Sequence, residues 1–148
     1  MIFLEKSPLL LAIKASAEKL DNDFIVFALS VEKAYKKVEL DLDTLKECYS
    51  IVEDFDTNKQ TLFAVLLSDY SYYDIESLVN YAENDACLFE GSISDYAYEL
   101  INDCYDTKSM GGLVSYIDYD KFGNDLLLEG AIVELGYSLI WTNPNDIY

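Results

Sequence analysis

The sequence contains no histidine and no arginine, so its ten positively charged side chains are all lysines. The lack of histidine removes the most frequent general base, the usual pH switch near neutrality and the commonest metal ligand. The lack of arginine removes the bidentate clamps that proteins use for phosphate and carboxylate groups. The usual three-part catalytic sites therefore cannot be assembled. We expect a protein that is not an enzyme and that uses no cofactor and no metal.

Cysteine is scarce, and long apolar runs are missing. Cys48, Cys87 and Cys104 are odd in number and form no CxxC pair, which favours buried thiols in a reducing compartment over disulfides or a zinc site. No segment is long enough to span a bilayer. The apolar stretch near the start is interrupted by Glu5 and Pro8, which argues against a signal peptide. We therefore expect a cytoplasmic protein with no membrane partner.

Negative charge is present in large excess, with 28 acidic residues against 10 lysines and a net charge of −18. Residues 1–60 hold 8 of the lysines and 12 acids, whereas residues 61–148 hold 2 lysines and 16 acids. Direct nucleic-acid binding is disfavoured, because phosphate contacts need a basic surface. The excess indicates a basic partner instead, and it places the functional surface in the second part of the chain.

The hydrophobic pattern predicts an α+β fold built as a chain of small subdomains. Hydrophobic residues make up 51% of the chain, which is ample for a core. We predict a mixed N-terminal α/β piece at residues 1–40 and a helical middle domain at 41–90. A C-terminal domain at 91–148 would combine an acidic helix with a β-hairpin.

Local patterns predict the elements of the first two pieces. Ser7 and Pro8 open a predicted helix that ends near Leu20. Residues 23–30 and 34–40 are expected to form a pair of strands. A helix from Thr44 to Asp54 would open with the capping box Thr44-x-x-Glu47. A mostly buried helix is predicted at 57–70 and a further helix at 74–84.

The clearest helix lies at residues 92–106. Its apolar residues recur at i, i+3, i+4, i+7, i+8 and i+11, which is the spacing of an amphipathic helix; they are Ile93, Tyr96, Ala97, Leu100, Ile101 and Cys104. A loop at 107–113 and a short helix at 117–127 follow. Residues 131–135 and 137–142 are predicted to form a hairpin that turns at Gly136.

The same helix carries Asp95, Glu99, Asp103 and Asp106 on the face opposite its apolar residues. Like charges three or four residues apart on a helix each cost about 0.2–0.5 kcal/mol, and anions are disfavoured at a helix C-terminus. Four helical residues advance about 6 Å, a spacing similar to that of phosphates along a nucleic-acid strand. A row of carboxylates at this spacing can therefore occupy a groove that binds DNA.

Two other interpretations of the carboxylates stay open. Asp118, Asp120, Gly123 and Glu129 occupy positions one, three, six and twelve of an EF-hand calcium loop, but Phe122 and Asp125 do not suit positions five and eight. The acids could also form an ordinary solvated face or reflect adaptation to salt. That view leaves unexplained both the lysines of the first part and the regular acidic row.

The second part of the chain resembles the ArdA antirestriction family. The resemblance lies in "CLFEGSISDYAYELINDCYD" at 87–106, "YIDYDKFGNDLLLEG" at 116–130 and the closing hairpin with "GYSLIW". It implies an elongated dimeric protein of three small domains, coated with carboxylates so that it imitates bent B-form DNA. It also implies that such a protein occupies the DNA groove of a Type I restriction–modification enzyme and protects an incoming mobile genetic element from host defence.

The resemblance assigns candidate roles to individual residues. The expected phosphate mimics, which would bind a basic DNA-binding protein, are Asp74, Glu76, Glu83, Asp85, Asp95, Glu99, Asp103, Asp106, Asp118, Asp120 and Asp125. Tyr116, Tyr119 and Trp141 either pack in the core or contribute to a homodimer contact. Inhibition of another DNA-handling protein, such as a CRISPR nuclease or a nucleoid protein, is an alternative function, as is a calcium-binding or generic acidic adaptor.

Overall fold

The computed structural model describes residues 20–35, 40–136 and 138–147. The chain divides into two compact units, which we call the first and the second unit, with the boundary between Asn84 and Asp85. Helices and a small antiparallel sheet together confirm the α+β class. The helix predicted from Pro8 lies outside the described residues, and the division into three domains stays a prediction. Within the described ranges, no helix is both long and apolar enough to cross a membrane.

The described part of the first unit is helical. Its helices are α1 (Asn22–Ala34), α2 (Leu42–Val52), α3 (Thr57–Asp69) and α4 (Ile75–Asn80), and a π-helical turn (Tyr81–Asp85) continues α4. Leu45, Leu62, Leu66 and Leu78 are completely buried at the centre of the unit. The prediction of a helix at 74–84 is thus confirmed, with a change of helix type near its end.

The strand predicted at 23–30 is wrong, because these residues belong to α1. The Asp21 carboxylate accepts a hydrogen bond from the Asp23 backbone N–H, 3.4 Å away, at the start of the helix. Phe24, Ala28 and Val31 are buried at helical spacing. This spacing outweighs the strand preference of the β-branched and aromatic residues in the segment. Of the second predicted strand, residues 36–39 lie outside the described residues.

Two details of the following helices also differ from prediction. Helix α2 begins at Leu42 after Asp41, and the Thr44 hydroxyl donates to the Asp41 carboxylate at 3.2 Å, so Thr44 is not the N-cap. Helix α3 is confirmed, but only one face of it is buried, including Leu62 and Phe63. The Asp56 carboxylate caps α3 by accepting from the Lys59 backbone N–H at 2.8 Å.

The second unit combines helices with a three-stranded antiparallel sheet. Along the chain it contains β1 (Leu88–Glu90), α5 (Ile93–Cys104), a 3-10 segment (Thr107–Tyr116), α6 (Tyr119–Leu128), β2 (Val133–Gly136), β3 (Leu139–Trp141) and a short 3-10 turn (Pro144–Asp146). The strand order is β1-β3-β2. The central strand β3 is buried along its whole length, so it forms part of the core of this unit.

The predicted hairpin is confirmed, and the structure adds strand β1 to it. Gly136 has a φ of +88°, which is the left-handed conformation that the turn requires. Strand β1 pairs with β3 from the opposite side, with Leu88 opposite Trp141. Residues 88–90 have no strand signal in the sequence, because three residues are too few to show a period.

Helices α5 and α6 approach each other closely at Gly123. A Cβ atom on Gly123 would lie 2.3 Å from Ile93 Cγ2 and 3.0 Å from the Ile93 carbonyl oxygen. Only glycine leaves room for this contact. The glycine therefore sets the distance between the two helices that carry most of the predicted phosphate mimics of the second unit.

Candidate functional site

All eleven predicted phosphate mimics are exposed to solvent. Among the described residues, none of the eleven lies within ion-pair distance of a lysine. Within the described ranges, their negative charge is therefore not neutralised by a neighbouring lysine. The field of such a surface extends into solvent and attracts basic partners.

Helix α5 holds three members of the predicted acidic row, Asp95, Glu99 and Asp103. Asp95 and Ser92 form a capping box: the Ser92 backbone N–H donates to the Asp95 carboxylate, and the Asp95 N–H donates to the Ser92 hydroxyl, both at 3.1 Å. Hydrogen bonding of the Asp95 carboxylate with the Ser92 backbone and, next, with the Ser92 side chain lowers the pKa of Asp95. Asp95 therefore stays ionised below the usual range of an aspartate.

The placement of Asp106 on the same helix is wrong. Helix α5 ends at Cys104, and Asp106 is the N-cap of the 3-10 segment. Its carboxylate accepts from the Ser109 hydroxyl at 2.5 Å and from the Ser109 N–H at 3.3 Å, and these bonds lower its pKa. Its charge lies at a helix N-terminus, where anions are favoured. The free-energy cost of like charges on one helix therefore applies to three residues of the predicted acidic row rather than four.

Three further predicted mimics of this unit lie at the start of helix α6 or on it. Asp118 caps the helix by accepting from the Lys121 N–H at 3.0 Å. Asp120 accepts from the Ser94 hydroxyl and so connects α6 to the start of α5. Asp125 is exposed along the helix.

The same helix rules out the EF-hand arrangement. An EF-hand loop wraps its ligands around one ion. Here the helix separates Asp118 from Glu129 by about 16 Å along its axis. In the part of the chain that the structure describes, no group of three or more candidate ligands is placed to hold a metal ion.

The remaining four predicted mimics lie around helix α4 and in the π-helical turn after it, and the last of them, Asp85, is the first residue of the second unit. Asp74 precedes α4, Glu76 lies in its first turn, and Glu83 and Asp85 lie in the π-helical turn. Lys59 Nζ donates to the Glu83 backbone carbonyl at 3.1 Å. The lysine thus stabilises the turn and leaves the Glu83 carboxylate unneutralised.

The three candidate aromatic residues lie in different environments. Trp141 is 0% exposed on the central strand, so it packs in the core and offers no surface to a second copy. Tyr119 is partly buried and packs edge-on against Tyr98, with ring centroids 5.2 Å apart. Tyr116 is 83% exposed. Of the three, only Tyr116 has a large surface available for a contact between copies.

The structure also shows two grooves that the sequence analysis missed, one in each unit. The groove of the second unit has a volume of about 580 Å³, and that of the first unit about 310 Å³. Both are lined by tyrosines and carboxylates. Tyr98 lines the groove of the second unit, and Tyr72 lines that of the first unit. The sequence indicates no role for either tyrosine, because only the fold brings these rings next to the acids.

The family model of the ArdA antirestriction protein matches residues 18–139 of the chain. This match covers most of the sequence, including both acidic helices of the second unit. The chain belongs to the ArdA antirestriction family. The match confirms the resemblance seen at 87–106 and 116–130, and it extends well into the first unit. No curated protein and no solved structure matches the chain.

Proposed function

We propose that this ArdA-family chain is a DNA mimic without catalytic activity that occupies the DNA-binding groove of a Type I restriction–modification enzyme. The observation that carries the proposal is the set of eleven exposed carboxylates, none of which is paired with a lysine among the described residues. Family membership supplies the antirestriction context. The target class and the mimicry are the proposal itself.

The physical basis is the fixed position of the carboxylates. Asp95, Asp106 and Asp118 accept hydrogen bonds from backbone N–H groups at the starts of helical segments. Glu99 and Asp103 lie four residues apart on α5, a rise of about 6 Å. A rigid anionic surface of this kind attracts a basic groove over long range and fixes its orientation.

The proposal includes a homodimer that acts in the cytoplasm for a mobile genetic element. A two-fold arrangement would double the anionic surface and suit a partner that binds bipartite DNA. Tyr116 is the candidate for a contact between the copies, because it is exposed. Sedimentation of the full chain at several concentrations tests the dimer.

A triple substitution tests the mimicry. Glu99→Gln, Asp103→Asn and Asp125→Asn remove three exposed charges that make no hydrogen bond among the described residues. At about 0.2–1 kcal/mol for each exposed ion pair, we expect roughly tenfold weaker inhibition of a Type I enzyme. Any single substitution should have a small effect, because the field is shared among many charges.

A matched control removes three exposed charges of the first unit that are not predicted mimics, with Glu47→Gln, Glu53→Gln and Asp69→Asn. The control should inhibit nearly as well as the wild type. Unchanged inhibition by the first triple variant would show that the acidic surface is not the binding surface. An equal loss in both triple variants would show that net charge alone matters. Capture of a different DNA-handling protein, such as a CRISPR nuclease or a nucleoid protein, would support the DNA mimicry but would show that the target is not a Type I enzyme.

A further inference from the structure

We propose that the two tyrosine-and-carboxylate grooves are binding sites for arginine side chains of the partner. The inference rests on the proposed function in that the partner is a basic protein. It goes further by naming the side chain that the chain selects and the places where that side chain binds.

The groove of the second unit lies between helix α5, the end of the 3-10 segment and the start of α6. It has a volume of about 580 Å³. Three carboxylates and three aromatic rings line it: Asp95, Asp118, Asp120, Tyr98, Tyr116 and Tyr119. The groove is large enough for a guanidinium group together with part of its aliphatic chain.

The groove of the first unit repeats this composition with residues from unrelated parts of the sequence. It has a volume of about 310 Å³, and again three carboxylates and three tyrosines line it: Asp41, Asp74, Glu76, Tyr35, Tyr72 and Tyr73. The Tyr35 hydroxyl donates to the Tyr73 backbone carbonyl at 2.6 Å and fixes one wall. The Tyr72 and Tyr73 rings lie with their centroids 4.6 Å apart.

The recurrence of one composition in two separately folded units indicates a shared binding chemistry. A surface that only imitates phosphates needs carboxylates and has no use for aromatic walls. A tyrosine face attracts a cation that lies over the ring, most often that of arginine. The planar guanidinium can stack on such a ring while its N–H groups donate to carboxylates, whereas the ammonium of lysine is a compact and strongly hydrated point charge.

The groove of the second unit has a further feature that fits a hydrogen-bond donor. Tyr119 lines this groove, and its hydroxyl oxygen is buried with no hydrogen-bond partner among the described residues. Buried polar groups are normally satisfied. The groove wall thus holds an unused acceptor, which an N–H of a guanidinium beside Tyr98 would satisfy once the Tyr119 side chain shifts toward it.

Two labelled peptides of equal length and charge, hexa-arginine and hexa-lysine, test the proposal with the full-length chain. We expect the arginine peptide to bind several-fold more tightly by fluorescence anisotropy. In Tyr116→Leu, loss of one exposed cation–π contact should weaken arginine binding about two- to fivefold. Asp118→Asn should weaken it by a similar factor, and this substitution preserves the helix, because asparagine is an equally good N-cap. The pair Tyr72→Leu and Glu76→Gln makes the same test in the other groove.

Glu134→Gln is the matched control, because it removes one exposed charge from strand β2 and Glu134 does not line either groove. It should preserve the preference for arginine. Ring-proton NMR signals of the groove tyrosines should shift on addition of the arginine peptide, and less with the lysine peptide. Equal affinity of the wild-type chain for the two peptides would overturn the proposal. So would an unchanged preference for arginine in a variant that combines the substitutions of both grooves. If Tyr116→Leu converts a dimer into monomers, Tyr116 belongs to a contact between copies and the assignment of its groove is wrong.

The peptide measurement and the enzyme assay can fail separately. A chain that inhibits the restriction enzyme but does not prefer arginine would overturn only the groove assignment. A chain that prefers arginine but inhibits no restriction enzyme would overturn only the proposed target.

Discussion

Replacement of Gly123 by alanine tests the packing that places helix α6 against helix α5. The new Cβ would lie 2.3 Å from Ile93 Cγ2 and 3.0 Å from the Ile93 carbonyl oxygen. The Cγ2 atom can move aside only by rotation about χ1, which is strongly restricted for a β-branched residue in a helix, and the carbonyl oxygen can move only with the backbone. Overpacking of this kind costs about 1–3 kcal/mol, and the better helix propensity of alanine offsets about 1 kcal/mol.

Because a 2.3 Å approach is severe, the cost lies near the upper end of this range, and the expected net loss in the free energy of unfolding is about 2 kcal/mol. For a unit of this size, the loss corresponds to a melting temperature lower by about 5–15 °C. The single tryptophan, Trp141, is buried in the same unit. Its fluorescence during denaturant unfolding therefore reports the stability of the unit that contains the substitution.

Gly112→Ala is the matched control, because a Cβ there would meet nothing within 4 Å. It should leave the stability unchanged or raise it by up to about 1 kcal/mol. In an Ile93→Ala background, Gly123→Ala should cost less than it does in the wild type, because the clashing methyl group is gone. If Gly123→Ala alone is as stable as the wild type, the close approach of the two helices is wrong.

Three further predictions concern single side chains. Burial, and next the charge of Glu76, raise the pKa of the Cys48 thiol to about 11. A thiol reagent at mildly alkaline pH should therefore label the two exposed cysteines quickly and Cys48 only after unfolding. Rapid labelling of all three cysteines would contradict the burial of Cys48. Tyr35→Phe removes the hydroxyl that donates to a backbone carbonyl at 2.6 Å. This substitution should lower the free energy of unfolding by about 1 kcal/mol. An unchanged denaturation midpoint would show that the hydrogen bond contributes nothing to stability. Ser92→Ala removes the N-cap of α5 and should cost about 1 kcal/mol at neutral pH. The folded-state pKa of Asp95 is lowered, so the contribution of Asp95 to stability is present above its unfolded pKa of about 3.9 and is lost as the pH falls below that value. The difference in stability between wild type and Ser92→Ala should therefore shrink in acid. A difference that is independent of pH would refute the role of Asp95.

The sequence was sufficient for the elements that show a long, regular period. The apolar residues at 93–104 predict helix α5, and the pattern around Gly136 predicts the hairpin. The same principle was available for α1, where Phe24, Ala28 and Val31 recur at helical spacing after Asp21. Taken one at a time, the β-branched and aromatic residues of this segment favour a strand, and only the helical period identifies the helix.

Other features depend on contacts between distant residues and had no local signal. Strand β1 has three residues and exists because it pairs with β3, more than fifty positions later in the chain. The shift of Asp106 from α5 to the next segment depends on where α5 ends. The groove of the second unit has Tyr98 of α5 next to Tyr119 of α6, and these residues are brought together by the packing of the two helices.

The most direct test of the central claim is a competition between the chain and DNA for one restriction enzyme. A fluorescent duplex that contains the recognition site is bound to a Type I restriction–modification enzyme, and the chain is added while the anisotropy of the duplex is followed. DNA mimicry predicts that the duplex is released, and that the chain displaces it with an affinity that falls steeply as salt rises. Inhibition while the duplex stays bound in a ternary complex would contradict the claim that the chain takes the place of DNA.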